Sequence, residues 1–352
     1  MKKKVLVLFG GVSSEHDVSL NSASSVMKNI PAEKYDVVPM GITKDGRCFV
    51  FNGSPDLLPE SGWLADESLL EPAVISCDRS HHGIIRLASG KVEYIDVVFP
   101  VLHGKNGEDG TIQGIFEMAG IPYVGCSPLA GAMCMDKAVT NTLADAAGID
   151  GAKWAAFTET EYRNGRVDLA KIEAKLGYPI FVKPANAGSS VGISKAHNHY
   201  ELVEALDIAF RNDYKAVLEE TLVGREIECA VMGNAEPVAS CIGEILPTTE
   251  FYDFDAKYID NSTGLAIPAD LPADISEKVR AAAINAYKTL GCEGLSRVDF
   301  FLCNDGRICL NEINTLPGFT SISMFPKLFG QVGVPYSELL DRLIEYAEER
   351  AK

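Results

Sequence analysis

Asp299, Glu312 and Asn314 lie in the segment RVDFFLCNDGRICLNEINTLPGFTS, residues 297–321, which reads as two strands joined by a tight turn. Asp305-Gly306 is a strong two-residue hairpin signal, because a type I′ turn needs φ > 0 at both central positions. With Asn304 opposite Arg307, counting back puts Arg297 opposite Asn314 and Asp299 opposite Glu312, all four on one face. Two carboxylates directly opposite each other repel. A hard divalent cation between them would reverse the sign, since Mg²⁺ takes oxygen ligands and is usually held by one or two carboxylates plus substrate phosphates. The pattern also fits a solvated strand face on which Arg297 compensates the charge. The register is critical here, because a three-residue loop would send Asp299 and Glu312 to opposite faces.

A second segment, IFVKPANAGSSVGISKA, delivers Lys183 from a strand into a loop that contains Gly188, Ser189, Ser190 and Gly192. Small residues let backbone N–H groups approach phosphate oxygens, and the lysine adds a charge. The lysine precedes the glycines and no GK[ST] follows, so this is not a Walker A loop. Alone, the loop fits a surface turn equally well; beside a hard-metal pair it points to a nucleoside triphosphate with Mg²⁺. In VLHGKNGEDGTIQG, residues 101–114, His103 either binds substrate or caps the turn. Glu108 and Asp109 sit near a helix start, where carboxylates are favourable for local reasons, and that local reading is the simpler one. FGGVSSEHDVS lacks the spacing of a dinucleotide fingerprint. Its Glu15 either binds a ligand ammonium at the C-terminal edge of a sheet or is a first-turn helix residue. The connection around Lys257 and Tyr258 is longer than loops usually are, which fits a lid or a disordered insertion.

The elements that must hold these groups follow from periodicity. KVLVLFGG is a continuous apolar run ending in glycines, and SSEHDVSLNSASSVMKNI opens with N-cap residues and continues at helical spacing. YDVVPMGIT and YIDVVFPVLHG are further strands, and GTIQGIFEMAG is a helix closed by glycine. That order predicts a small parallel α/β domain up to about residue 126, with a turn-rich stretch between Asp45 and Lys91. MDKAVTNTLADAAG and HYELVEALDIAFRND read as helices and KAVLEETLV as a strand, which together suggest a compact α+β unit. From about residue 224 the chain carries several strands, the long connection, a helix and the hairpin.

The 352 residues are 47% hydrophobic, enough for two or three domains with cores. No apolar run approaches the roughly 20 residues of a membrane span. The apolar run after MKKK is too short for a signal peptide and has no small-residue cleavage site. Nine cysteines without a CxxC pair fit reduced thiols in a cytoplasm. A net charge of −17 argues against a general nucleic-acid binder, while a local cluster of lysine, arginine and metal can still take an anionic substrate.

Together these residues resemble the D-alanine:D-alanine ligases of the ATP-grasp superfamily. HGKNGEDGTIQG, and GCEGLSRVDFF continuing through LNEINTLPG, match the family's signature segments, and the likeness spans nearly the whole chain. The resemblance implies an α/β fold, α+β in the later domains, in a three-domain ATP-grasp architecture. Residues 1–126 would form an N-terminal parallel α/β substrate-binding domain, 127–223 a central subdomain, and 224–352 a C-terminal subdomain with metal site and lid. ATP would lie between the last two. By the same resemblance Asp299, Glu312 and Asn314 match the ligands of two Mg²⁺ ions, with Mn²⁺ able to substitute. Lys137 and Lys183 match the phosphate lysines, and Ser189 and Ser190 fall in the phosphate loop. Glu219, Glu220 and Leu222 correspond to the adenine hinge and Glu226 to the ribose contact. Lys257 and Tyr258 match the lid. Glu15 matches the anchor of the first amino acid's ammonium, and His103 lines that pocket. Arg297 and the Gly318 N–H match the oxyanion pair, and Ser323 the group on the second amino acid's carboxylate. The implied reaction, in a cytoplasmic homodimer, phosphorylates one D-alanine with ATP and lets a second attack the acyl phosphate.

The insertion-rich stretch from about Gly41 to Leu102 is similar to the D-alanine:D-serine ligases of G-type vancomycin resistance. Those carry an arginine where this chain has Met324, which offers a serine hydroxyl no partner. Ile322 departs from the histidine common to both groups. Tyr258 argues against a depsipeptide ligase. D-Alanine is therefore the expected second substrate, with D-serine the alternative. Other ATP-grasp carboxylate–amine ligases and a non-catalytic nucleotide-binding module are further alternatives; Glu15 and HGKNGEDG speak against the first, and the presence of Arg297 and the metal-ligand residues against the second.

Overall fold

The computed structural model describes residues 2–188, 190–246, 264–320 and 322–352. Strand β1 (Lys3–Gly10) is buried on both faces, which is why its apolar run is continuous rather than alternating. Val5, Val7 and Phe9 pack towards α1 (His16–Asn29), while Leu6 and Leu8 belong to the cluster on the other face. β1 lies parallel to β2 (Tyr35–Ile42) and to a later strand, Val97–Val101. The stretch read as turn-rich instead supplies β3 (Cys48–Phe51), β4 (Leu70–Ile75), β5 (Gly83–Arg86) and β6 (Lys91–Tyr94). These pair antiparallel beyond β2, and with β7 (Val97–Val101) they complete a seven-stranded sheet in the order β6-β5-β4-β3-β2-β1-β7. The N-terminal sheet is thus mixed, parallel only around β1. Short strands of four to six residues in a Gly- and Ser-rich context carry too little period to separate from turns. Helix α2 (Thr111–Ala119) covers the Leu6/Leu8 face through Ile112 and Phe116. The N-cap position of α1 is Glu15, with no side-chain cap, rather than one of the preceding serines.

Helix α3 (Pro128–Met135) leads into α4 (Lys137–Ala146), whose first turn is capped by Asp136. The second sheet contains β8 (Trp154–Thr158), β9 (Ile180–Pro184), β10 (Ser194–Ala196) and, after α5 (Glu159–Arg163), α6 (Leu169–Leu176) and α7 (His199–Asn212), β11 (Lys215–Glu220). Its order is β10-β9-β11-β8, antiparallel throughout, with α7 packed on it.

The third sheet, in the order β14-β13-β12-β15-β16, is formed by β12 (Gly224–Gly233), β13 (Val238–Leu246), β14 (Gly264–Ala266), β15 (Gly294–Cys303) and β16 (Ile308–Asn314). Helix α8 (Ala273–Thr289) covers one face over Ile227, Cys229, Val298 and Phe300. On the opposite face Ala230, Met232 and Leu295 join a cluster with α9 (Met324–Gln331) and α10 (Tyr336–Arg350), which also packs on β1. Further along that face the same alternation brings Glu226 and Glu228 of β12 and Arg297 and Asp299 of β15. Among the described residues no helix is long and apolar enough to cross a membrane.

Candidate active site

The β15–β16 hairpin reaches the expected pairing by an unexpected route. Arg297 lies opposite Asn314 and Asp299 opposite Glu312. The loop, however, has three residues: Cys303 N–H donates to Arg307 O at 2.9 Å and Gly306 N–H to Cys303 O at 2.9 Å, with Gly306 left-handed at φ 88°. That loop alone would have put the two carboxylates on opposite faces. A β-bulge restores them, because Phe300 pairs with Leu310 while Asp299 pairs with Glu312, leaving Asn311 as the extra residue. The two-residue turn and the unbroken ladder were both wrong, and the two errors cancel.

Asp299 is 3% exposed, so the charged face is not a solvated one at its centre, while Arg297, Glu312 and Asn314 are half-buried. Arg297 forks on it: Nε donates to Oδ1 at 2.8 Å and Nη2 to Oδ2 at 2.7 Å, while Asn314 Nδ2 donates to Oδ2 at 2.9 Å. Glu228, next door on β12 and directly paired with Asp299, places Oε2 3.0 Å from Arg297 Nε. Burial alone would lower the guanidinium's pKa, but Asp299 and Glu228 hold it well above the ordinary value. A cation therefore does sit among these carboxylates, and it is Arg297. Among the described residues no three His, Cys, Asp or Glu side chains form a ready-made metal cage. Asp299 and Glu312 with Asn314 are instead an all-oxygen set of the size that shares Mg²⁺ with substrate phosphates. The guanidinium marks the place as one that stabilises positive charge, so the residues fit such an ion.

Beside the hairpin, Glu108, Lys137, Gly188, Glu312 and Asn314 line one narrow cleft of about 30 Å³. Lys137 Nζ donates to Ala187 O at 2.7 Å, which fixes the ammonium against the Gly/Ser loop. Lys183, on β9, pairs with Glu219 Oε2 at 2.6 Å, and Asn141 Nδ2 donates to Glu219 Oε1 at 3.1 Å. Burial opposes the Lys183 charge, yet the Glu219 carboxylate keeps its pKa above normal. Ser190 adopts a left-handed φ of 60° in the same loop. Glu226 precedes Glu228 by two on β12, hence on the same face. Glu220 turns to Lys153 at 3.2 Å, and Leu222 follows β11 in the connection to β12.

The amino-acid side of the cleft is built on glycines. A Cβ on Gly104 would lie 2.2 Å from Glu15 Oε2, and one on Gly188 3.2 Å from the same oxygen, so the carboxylate is wedged between two loops. His103 joins three segments: Nδ1–H donates to Leu316 O at 3.0 Å and Nε2 accepts from Ser22 Oγ at 3.2 Å, while Ser22 Oγ accepts from Phe319 N–H at 3.3 Å. Burial lowers its pKa and keeps it neutral, with both ring nitrogens engaged inside the protein. Ser323 is the N-cap of α9, and its Oγ would be 2.7 Å from a Cβ on Gly318. Met324 is 6% exposed and covers Gly243 in the apolar cluster rather than joining the charged groups. Ser189, Lys257 and Tyr258 lie outside the described residues.

Glu108 and Glu228 are the groups the sequence reading undervalued. Glu108 was explained by its helix start, but its Oε2 accepts from Gly104 N–H at 2.7 Å and its Oε1 from Leu316 N–H at 3.3 Å, tying the first sheet's loop to the third sheet's. Glu228 had a signal, since strand alternation puts it on the face of Glu226. A larger, apolar cavity of about 360 Å³ lies at the ends of β1 and β2, bounded by Gly10, Gly11 and His103.

The model of the D-Ala D-Ala ligase N-terminus matches residues 4–126, and that of the D-Ala D-Ala ligase C-terminus matches residues 143–345. The D-alanine–D-alanine ligase of Acetivibrio thermocellus is 51% identical over 363 residues, covering 99% of this chain and 96% of that protein. That of Ruminiclostridium cellulolyticum is 50% identical over 361 residues, with the same coverage. Among solved structures, the VanG D-Ala:D-Ser ligase from Enterococcus faecalis superposes with a TM-score of 0.91 at 42% identity, covering 99% of this chain and 100% of that one. The D-alanine–D-alanine ligase from Coxiella burnetii gives 0.86 at 33% identity, covering 99% and 96%.

Proposed function

The chain belongs to the D-alanine–D-alanine ligase family of ATP-grasp fold, ATP-dependent enzymes acting on small molecules for peptidoglycan precursors, and we propose how its own residues carry that reaction. The observation that carries the reading is the pairing of Asp299 with Glu312, with Asn314 and Arg297 on the same face. Mg²⁺ held by Asp299, Glu312 and Asn314 would neutralise phosphate oxygens of ATP. Lys137, fixed on the loop carbonyl, and Lys183, held by Glu219, supply further positive charge to those phosphates. Glu219, Glu220 and Leu222 form the adenine hinge and Glu226 takes the ribose. Ser189 and Ser190 contribute the phosphate loop, and Lys257 and Tyr258 the lid.

Glu15, wedged against Gly104 and Gly188, binds the ammonium of the first D-alanine, with His103 as a neutral wall of its pocket. The carboxylate of that D-alanine attacks the γ-phosphorus and ADP leaves. The amine of the second D-alanine, its carboxylate on Ser323, attacks the acyl carbon; phosphate is expelled and the amine's extra proton is released. Arg297 and the Gly318 N–H stabilise the tetrahedral oxyanion. We assign residues 1–126, 127–223 and 224–352 to the three units, and place the enzyme in the cytoplasm as a homodimer. Nine free thiols support a reducing compartment.

The likeness to a D-Ala:D-Ser ligase favours D-serine as a second reading. The buried Met324 supports D-alanine, since it gives a serine hydroxyl no polar partner. Phosphate release from ATP and Mg²⁺ distinguishes them. Fast release with D-alanine alone, giving D-alanyl-D-alanine, supports the first reading. Weak release that rises sharply on adding D-serine supports the second, and no release with either rejects both.

A further inference from the structure

Arg297 is held from two strands at once. On β12, Glu228 pairs directly with Asp299 of β15, and Ala230 with Arg297. On its other side Glu228 pairs with Gly243 of β13, a position covered by Met324 and Leu328. The Glu228 carboxylate, 5% exposed, is therefore walled by apolar groups on that side and meets Arg297 Nε on the other at 3.0 Å. Both Asp299 oxygens are meanwhile taken by the Arg297 fork, and Oδ2 also by Asn314. A divalent cation that takes Asp299 as a ligand competes with that fork for the same carboxylate and weakens its hold on Arg297. A buried guanidinium stripped of its counter-charge is strongly unfavourable, so Arg297 needs a second carboxylate that is not a metal ligand.

We propose that Glu228 is a positioning residue that would keep Arg297 in place where Asp299 serves as a ligand of a divalent cation. This rests on the metal reading given above. It assigns Glu228 no contact with substrate and no bond to the ion. The two carboxylates divide the work: Asp299 exchanges one cation for another while Glu228 keeps the first in place.

The test is Mn²⁺ binding, read by electron paramagnetic resonance with a non-hydrolysable ATP analogue present. Glu228→Gln makes it harder for Arg297 to release Asp299, so Mn²⁺ binding should weaken about tenfold. Arg297→Gln removes the competitor and should strengthen it. In the Arg297→Gln background, adding Glu228→Gln should change affinity by less than about twofold, since the effect travels through Arg297. An equal loss in both backgrounds would mean that Glu228 attracts the ion directly, and would overturn the proposal. No loss in either would overturn it too. Wild-type protein that binds no Mn²⁺ beyond what the analogue binds would instead sink the metal reading itself, and the proposal with it. Should Glu228→Gln fail to fold, the ¹⁵N-labelled Nε–H of Arg297 in the wild type decides. It should shift on metal addition yet stay protected from solvent exchange; an unshifted or freely exchanging Nε–H contradicts the role.

Discussion

Gly104 leaves no room for a side chain against Glu15: a Cβ there would fall 2.2 Å from the carboxylate Oε2. Its φ of 66° is also one that L residues adopt only under strain. Its N–H, in turn, is given to Glu108 at 2.7 Å, so the loop cannot shift without breaking that bond. The Gly104 backbone therefore fixes how close that loop comes to the Glu15 carboxylate.

Gly104→Ala should accordingly push Glu15 aside. We expect the KM for the first D-alanine to rise at least about tenfold, with the KM for ATP unchanged and stability lowered by about 1–2 kcal/mol. Steady-state kinetics with each substrate varied in turn checks this. An unchanged D-alanine KM would remove Glu15 from the role of anchor.

Arg297→Ala should lower kcat by two to three orders of magnitude, roughly the cost of losing an oxyanion donor, with ATP affinity little changed. It should also destabilise the fold by about 3–5 kcal/mol, because Asp299 and Glu228 are left as buried carboxylates without their cation. Arg297→Lys separates the two effects. It keeps the charge but not the fork, so stability should largely return while kcat stays low. A lysine variant with near-normal turnover would contradict the oxyanion role.

The long periodic elements were legible in the chain: β1, β2, α1, α7 and the hairpin strands all lie where their patterns put them. The pairing of Asp299 with Glu312 was legible too, though for a partly mistaken reason. Asp305-Gly306 carries a genuine turn signal, but Gly306 serves as the left-handed third loop residue instead of the second residue of a type I′ turn. The bulge at Asn311 leaves no mark in composition: beside it Leu310 and Phe300 pack beneath α8 and Leu310 N–H donates to Asp150 O at 2.7 Å, contacts that only the tertiary structure supplies. Glu108 was hidden for another reason. A carboxylate near a helix start has a sufficient local explanation, and only the approach of Leu316 from two hundred residues away gives it another.

Gly306 separates backbone strain from contact. Nothing lies within 4 Å of a Cβ added there, yet its φ is 88°. Gly306→Ala should therefore cost about 1 kcal/mol through conformation alone, and Gly306→Asn less, because asparagine tolerates the left-handed region. Urea unfolding of both variants measures the difference. Equal stability in all three proteins would show that the loop relaxes into another turn, which would disturb the register of the carboxylates behind it.

Glu108 gives the fold a pH dependence of definite sign. Desolvation, with the Glu15 charge adding to it, pushes its carboxyl from an ordinary 4.5 up to about 8, against the lowering effect of the Gly104 and Leu316 N–H groups. The folded chain thus keeps a proton that the unfolded chain gives up near 4.5. The stability this contributes is fully present below that value and is lost as pH rises through about 8. In metal-free buffer the urea midpoint of the wild type should fall between pH about 5 and about 9, and Glu108→Gln, which cannot ionise, should fall by less, the gap reaching at least about 1 kcal/mol. The amide nitrogen cannot accept a hydrogen bond as the hydroxyl oxygen of the protonated carboxyl can, so the variant should be the weaker protein at low pH and gain on the wild type as pH rises. Parallel curves would mean that Glu108 ionises normally, and its hydrogen bonds to Gly104 and Leu316 would then be those of an ordinary carboxylate at neutral pH.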